Sequence, residues 1–461
     1  MNPTLALAIW FILLVALFVY DPAKYTKAPA LWVPVVWIFF IGSRPPAMWL
    51  GISQGDAVQA LEQGNPLDRT IFTLLTLAAF TILVKRSFPW QKFVAQNLAL
   101  TCFLAFAMLS VAWSDFPLAT FKKWFRDTGV YFAVLVVVSD PRPFEAVRTV
   151  LRRVCYLHIP LSVVLIKYYP ELGKTISSWG GQEYQGVSTG KNSLGMLCLV
   201  SGIFFFWDTI TRWSQRREPR TKRIILVNIT FIYMIVWLLN LAESTTAMIC
   251  LGLGCLMIAA AHSNLSRRHP NWLRALAPMI FAVYLILAVG FGMGGQMAVA
   301  AGKSSNMSDR THIWEVVLSV PINPVIGTGY QSFWLGPRVQ WMWERLDGDS
   351  VLSTHNGYLQ IYTELGLIGL FIICCYLIAT YLKICKRLNP FTPLGSLGLG
   401  VWSLLLFYNV SEACLSMTVL FVAFLLTAIA VPDPAEDQLP VARHVDVDFA
   451  GRTAYRLGKT T

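Results

Sequence analysis

The stretch VNITFIYMIVWLLNLA (residues 227–242) decides the fold of this 461-residue chain. It carries no charged side chain and approaches the roughly 20 apolar residues that a helix needs to cross a bilayer core of about 30 Å. Its flanks differ. TRWSQRREPRTKR (211–223) precedes it, dense in arginine and lysine, whereas EST (243–245) follows without a basic residue. Short loops rich in Lys and Arg stay in the cytoplasm, so the 211–223 end reads as inside and the 243–245 end as outside.

PTLALAIWFILLVALFVY (3–20) and LAPMIFAVYLILAVGFGMG (276–294) repeat the pattern. The whole chain is 56% hydrophobic and 13% charged, against about 25% charged in soluble domains. The expected fold class is therefore an all-α polytopic membrane protein. Apolar segments fall near 5–20, 28–42, 69–84, 94–113, 128–139, 151–169, 192–210, 224–241, 246–262, 275–297, 356–382, 394–411 and 413–431. They give twelve to thirteen transmembrane helices in a single domain over 1–431, followed by a polar cytoplasmic tail over 432–461.

The 37 Lys and Arg against 25 Asp and Glu, a net +12, follow from the same inside bias and imply no nucleic-acid partner. The first run follows MNPT, which has no basic residue, and reads as a retained helix, not a cleaved signal. The nine cysteines (102, 155, 198, 250, 255, 374, 375, 385 and 414) sit in or beside apolar runs without metal-ligand spacing, as small core residues do.

SRRHPNWLR (266–274) and KICKR (383–387) join 211–223 on the inside, leaving 170–191, 242–245 and 299–354 outside. FKKWFRDT (121–128) is basic yet falls outside by this count; an amphipathic surface helix with Trp124 and Phe125 at the interface would account for it. The 299–354 loop is long enough to expect a function. Within it DRTHIWEVVLSV (309–320) reads as an amphipathic helix, with Asp309 as N-cap and Ile313, Val316, Val317 and Val320 as its apolar face.

The chemistry-bearing stretches lie on the outer side. GVSTGKNSLG (186–195) resembles a phosphate-binding P-loop, but it has three residues between its glycines and Asn192 after Lys191, where that motif needs four and a Ser or Thr. What remains is a helix N-terminus with glycines, a lysine and an asparagine, a ready anion site; the plainer reading is a turn with an interface-anchoring lysine. THNGYLQIYTELGLIGL (354–370) places His355 and Asn356 at the first turn of a helix, with Tyr358 and Tyr362 continuing it. Histidine ordinarily titrates near neutrality and suits proton abstraction from a hydroxyl; a carbonyl-bonded interfacial histidine is the alternative. LAEST (241–245) offers Glu243 and Ser244 at a span end. SDRTHIW (308–314) offers Arg310, a permanently charged donor fork for diphosphate. GTGYQSFW (327–334) supplies Tyr330 in a turn before aromatics that fit a sugar platform. YNVSEACLS (408–416) sets Glu412 deep in apolar sequence, where a carboxylate needs a partner. His158 reads as a core residue, and Lys303, Arg338 and Arg345 as solvated loop cations.

With these residues the chain resembles the O-antigen ligase and polymerase superfamily of bacterial envelope glycan assembly. The pieces are GVSTGKNSLG, SDRTHIWEVVLS with PVIGTGYQSFW, and THNGYLQIYTELGLIGL, in the family's order, across roughly 100–415. The KN and GYQSFW forms and NVSEACLS look most like the succinoglycan-type exopolysaccharide polymerases. The resemblance implies a metal-independent glycosyltransferase of GT-C-like fold in the bacterial inner membrane, with a large periplasmic loop containing short helices and an active site facing the periplasm. It implies an undecaprenyl-diphosphate-linked oligosaccharide as donor, a glycan or glycolipid as acceptor, no cofactor, and polysaccharide export or chain-length regulator proteins as partners. His355 matches the family base, and Arg310 and Lys191 match basic residues that hold the diphosphate. Asn192, Glu243, Ser244, Tyr330, Asn356, Tyr358 and Glu412 are expected to line the substrate. One position departs: ligases often carry a Ser-Arg pair where this chain has Ser244, Thr245 and Thr246. The nearest thing to a metal-binding carboxylate set is Asp347 with Asp349.

Three other roles are consistent with a membrane chain of this kind. A ligase would use lipid A–core as acceptor. A transporter or flippase would favour broken, charged helices at mid-membrane and matching halves, neither of which is evident here. A non-catalytic export partner would have no need of His355 and Arg310.

Overall fold

The 227–242 stretch forms most of one helix, Pro219–Ala242. The computed structural model describes residues 2–20, 29–52, 64–176, 180–286, 308–346, 351–389 and 391–429. Within them, each apolar segment read from the sequence coincides with a helix. Seven helices are long and apolar enough to span a membrane: Pro66–Lys85, Pro143–Tyr168, Lys191–Gln215, Pro219–Ala242, Thr245–His262, Gly357–Arg387 and Pro393–Ser411. Trp90–Gln96 and Leu98–Ala112, bent by 99°, make an eighth if taken as one span. The expected twelve to thirteen also counted the shorter apolar helices Pro3–Val19, Pro29–Gly42, Asn271–Leu285 and Val419–Ala428, together with Pro117–Val138. The all-α polytopic architecture stands. The 432–461 tail, Lys303, Asp347 and Asp349 lie outside the described residues, as does the side chain of Asp309.

The ends of the long helices sort by chemistry. Trp207 Nε1 donates to the Pro393 carbonyl at 2.8 Å, Arg274 to Cys385 at 3.4 Å and Arg387 to Thr427 at 2.7 Å. These contacts gather the three basic loops at one end of the bundle. Just inside that end, fully buried Asp208 meets Arg148 at 3.0 Å, Arg212 at 3.1 Å and Arg152, and accepts from Asn228 at 2.8 Å. Three of the arginines thus hold helices together through one carboxylate. The opposite ends of the same helices carry Lys191, Glu243, Ser244, His355 and Glu412.

At that second end the turn at 324–329 is welded to a broken helix. Gly366 interrupts Gly357–Arg387 with φ +64°, which frees backbone groups that a low-dielectric interior leaves costly. The turn at 324–329 satisfies them. Thr328 N and Gly329 N donate to the carbonyls of Thr363 and Glu364 at 3.1 and 2.8 Å, while Leu367 N and Ile368 N donate to Pro324 and Val325 at 2.9 and 3.1 Å. Two glycines make the approach possible: a Cβ on Gly327 or Gly366 would lie within 2.5 Å of the facing backbone. Above this seam the Ser308–Ser319 helix buries the four residues read as its apolar face, Ile313, Val316, Val317 and Val320. They form a second small core with Phe333, Trp334, Val339 and Met342.

The FKKWFRDT segment is not a separate surface helix. It is the first half of a continuous helix, Pro117–Val138. Two of its three cations make contacts within the protein: Lys123 donates to the Gln331 carbonyl at 2.9 Å, and the half-exposed Arg126 reaches Asp127 at 2.9 Å and Gln331 at 3.3 Å. Trp124 donates to the Leu104 carbonyl at 3.0 Å, while Phe125 stays exposed. Lys123 and Arg126 thus both find a partner at Gln331.

Candidate active site

His355 stands at the N-terminus of the broken helix with φ +47°, a left-handed conformation that side chains other than glycine adopt only when surroundings compel it. The compulsion is local and polar. His355 N donates to Ser353 Oγ at 3.1 Å, and Thr354 Oγ1 donates to the Asn356 carbonyl at 2.6 Å. Asn356 Oδ1 caps the helix by accepting from Tyr358 N at 3.0 Å and Leu359 N at 3.1 Å. Gly357 lets this turn press on the next element, because a Cβ there would lie 1.8 Å from Asn409 Oδ1. The same Asn409 oxygen accepts from Cys414 N and Leu415 N at 3.0 and 3.2 Å and so shapes the turn that presents Glu412.

Glu412 finds here the partners that a carboxylate in apolar sequence needs. Its Oε2 lies 3.1 Å from His355 Nδ1 and its Oε1 accepts from Arg310 Nη2 at 2.6 Å. The side chains are 11% exposed for Glu412, 29% for His355 and 21% for Arg310: the carboxylate is the floor, and the two cation-capable groups open toward the surface. An ionised carboxylate can only accept. With the carboxylate in that state the contact calls for the Nδ1–H tautomer, which leaves Nε2 as the unprotonated ring nitrogen.

A second ring joins this floor to the neighbouring helix ends. Tyr408, one turn before Glu412, lies within electrostatic reach of it, hydrogen-bonds the Ser244 side chain and donates to the Asn192 carbonyl at 3.4 Å. Gly195 brings its helix against Ser244, whose Oγ would lie 2.8 Å from an added Cβ. Lys191 opens this helix, but its ammonium is paired with Glu183 at 2.6 Å. Glu183 lies on a two-stranded hairpin, Lys174–Ile176 with Gln182–Tyr184, whose strands the sequence reading did not anticipate. Glu243 is exposed and ends the Pro219–Ala242 helix in the left-handed conformation, φ +48°.

Other expected contacts are occupied by the fold. Tyr358 OH donates to the Leu406 carbonyl at 3.3 Å, and Asn356 spends its carbonyl oxygen on the cap. Tyr330 is buried and donates to Asp127 at 2.8 Å; burial, with Asp127 beside it, pushes the phenol well above its ordinary range and keeps it a donor. His158 is a core residue bonded to the Phe39 carbonyl at 3.0 Å. Arg338 pairs with Asp115, and Arg345 lies 3.7 Å over Trp341. The nine cysteines are free thiols.

Two predictions follow from these contacts. Tyr358→Phe should lower stability by about 1 kcal/mol, the worth of one hydrogen bond, as read by thermal unfolding. Gly357→Ala should cost about 1–3 kcal/mol through overpacking. It should also reduce activity more than that loss explains, because the His355 turn is displaced from Glu412; a direct assay at a temperature where the variant is folded checks this.

Asp127 and Glu364 escaped the sequence reading. Glu364 accepts from Gln331 N at 3.0 Å and from Gln360 in a buried network beside the site. The rule that picked out Glu412, a carboxylate inside apolar sequence, applies equally to Glu364. Tyr408 gave no such signal.

A protein-family model described as O-Antigen ligase matches residues 229–374. The matched stretch holds Glu243, Ser244, Arg310, Tyr330, His355, Asn356 and Tyr358, while Lys191, Asn192 and Glu412 lie outside it. The chain is also similar to the Exopolysaccharide production protein ExoQ of Rhizobium meliloti (strain 1021), with 28% identity over 151 residues. That alignment covers 32% of this chain and 34% of the relative, so the chain spans about a third of the relative's length. Both matches support the O-antigen ligase and polymerase superfamily, near the branch of that relative.

Proposed function

We propose that this chain is a glycosyltransferase that lengthens a polysaccharide by joining lipid-linked oligosaccharide repeats at the outer face of the bacterial inner membrane. One observation carries the reading: a single carboxylate, Glu412, holds His355 and Arg310 on its two oxygens, at the end of the bundle away from the basic loops. In the proposed step an acceptor hydroxyl attacks the anomeric carbon of a diphosphate-linked glycan. The new C–O bond forms as the bond to the diphosphate oxygen breaks. His355 Nε2 takes the hydroxyl proton, which a poorly acidic alcohol must lose as it bonds. The leaving diphosphate gathers negative charge, and Arg310, with donors left over beyond the one on Glu412, answers it in a partly dehydrated site.

The donor is taken to be an undecaprenyl-diphosphate-linked oligosaccharide, with its lipid between the helices. Lys191 contributes to diphosphate binding only by exchanging Glu183 for phosphate. The polymerase reading is favoured over ligation to lipid A–core by Ser244, Thr245 and Thr246 standing where ligases often have a Ser-Arg pair, and by the production-protein relative. Purified chain in lipid nanodiscs, supplied with lipid-linked repeats alone, should yield a ladder of longer products. Transfer to lipid A–core with no self-lengthening would replace polymerase by ligase.

A further inference from the structure

We infer that Glu412 is a positioning residue that couples donor occupancy to the strength of the base, an inference resting on the roles proposed above for His355 and Arg310. The carboxylate is shared. Arg310 takes the shorter contact, 2.6 Å, and His355 the longer, 3.1 Å. Glu412 is largely buried, where charge–charge interactions exceed their strength in water. A guanidinium is always charged, so in this arrangement it neutralises much of what Glu412 offers the imidazole.

A diphosphate competes for that guanidinium, because phosphate oxygens accept charge-assisted hydrogen bonds from arginine in the same bidentate way as a carboxylate. As Arg310 turns toward phosphate, the charge of Glu412 is left to His355, and proton uptake at Nε2 becomes more favourable. The acceptor hydroxyl then meets a competent base once the donor is seated. Tyr408 and Cys414 also lie within electrostatic reach of Glu412, and Tyr284 within reach of Arg310. None of these is a cation, so among the described residues the exchange runs among the three named groups. His355 itself is pinned by Ser353 and the 354–356 turn, which fixes the ring's base while its electrostatic partner changes.

The test is histidine-detected NMR on the full chain in nanodiscs, with the His355 signal assigned among six histidines by a His355→Gln variant. Inorganic pyrophosphate should raise the His355 titration midpoint by about one pH unit. Arg310→Gln should raise it by a similar amount without pyrophosphate and abolish the pyrophosphate response. In a Glu412→Gln background the Arg310→Gln effect should shrink to less than half, which a double-mutant cycle measures. Glu412→Asp, retaining the carboxylate, should preserve the response, and Glu412→Ala, which also removes it, stands in if the glutamine variant misfolds. An Arg310→Gln effect of equal size with and without Glu412 would overturn the coupling, as would an Arg310→Gln variant with an unmoved midpoint. Chain growth by the wild type and its loss in His355→Ala are read separately, so failure of the coupling and failure of the enzymatic reading are distinguishable.

Discussion

Replacing His355 with alanine is expected to lower the rate of glycan lengthening by about 10²–10⁴-fold, the usual contribution of a positioned general base. The fold should survive. The side chain is partly exposed, and the turn that holds the backbone is built from Ser353, Thr354 and Asn356, which the substitution leaves in place. The left-handed backbone at position 355 is already paid for by those bonds. Steady-state chain growth on lipid-linked repeats, set beside thermal unfolding of the same preparations, checks both halves. Normal chain growth in His355→Ala would remove the proposed base.

Arg310→Ala is expected to cost about 10²–10³-fold, comparable to deleting one preorganised donor facing a developing charge. Arg310→Lys should recover little. Lysine presents a point charge without the planar fork that serves Glu412 and phosphate together. If Arg310 only anchored the outer loop, lysine would restore most of the activity by re-forming the ion pair with Glu412. Comparing the two variants at saturating donor therefore separates chemistry from loop anchoring.

How far these residues could be read in advance depends on the range of the contact. The apolar runs, the basic loops and the amphipathic face of Ser308–Ser319 are local patterns, and each reappears as a helix, a bundle end or a small core. Glu412 stood out because a carboxylate in apolar sequence needs a partner. Which partner it takes is a different matter: Arg310 is 102 residues away along the chain and His355 is 57, and no periodicity encodes such a meeting. Tyr330 and Tyr358 illustrate the converse. Both were expected to line the substrate, and in the folded chain their hydroxyls bond Asp127 and the Leu406 carbonyl. Lys191 was legible as a helix-opening cation, but its salt bridge comes from Glu183 on a hairpin of three-residue strands, too short to leave a pattern. The FKKWFRDT segment is helical with Phe125 exposed, as its pattern suggests, but its contacts with Gln331 lie 205 and 208 positions on and leave no local trace.

The account turns on where a lipid-linked diphosphate sits. A cryo-EM map of the His355→Ala chain with a bound lipid-linked repeat measures this directly. The account predicts phosphate oxygens within hydrogen-bond distance of the Arg310 guanidinium and the anomeric carbon facing position 355. Density for the diphosphate at the other end of the bundle, among the arginines around Asp208 and the 211–223 loop, would contradict it.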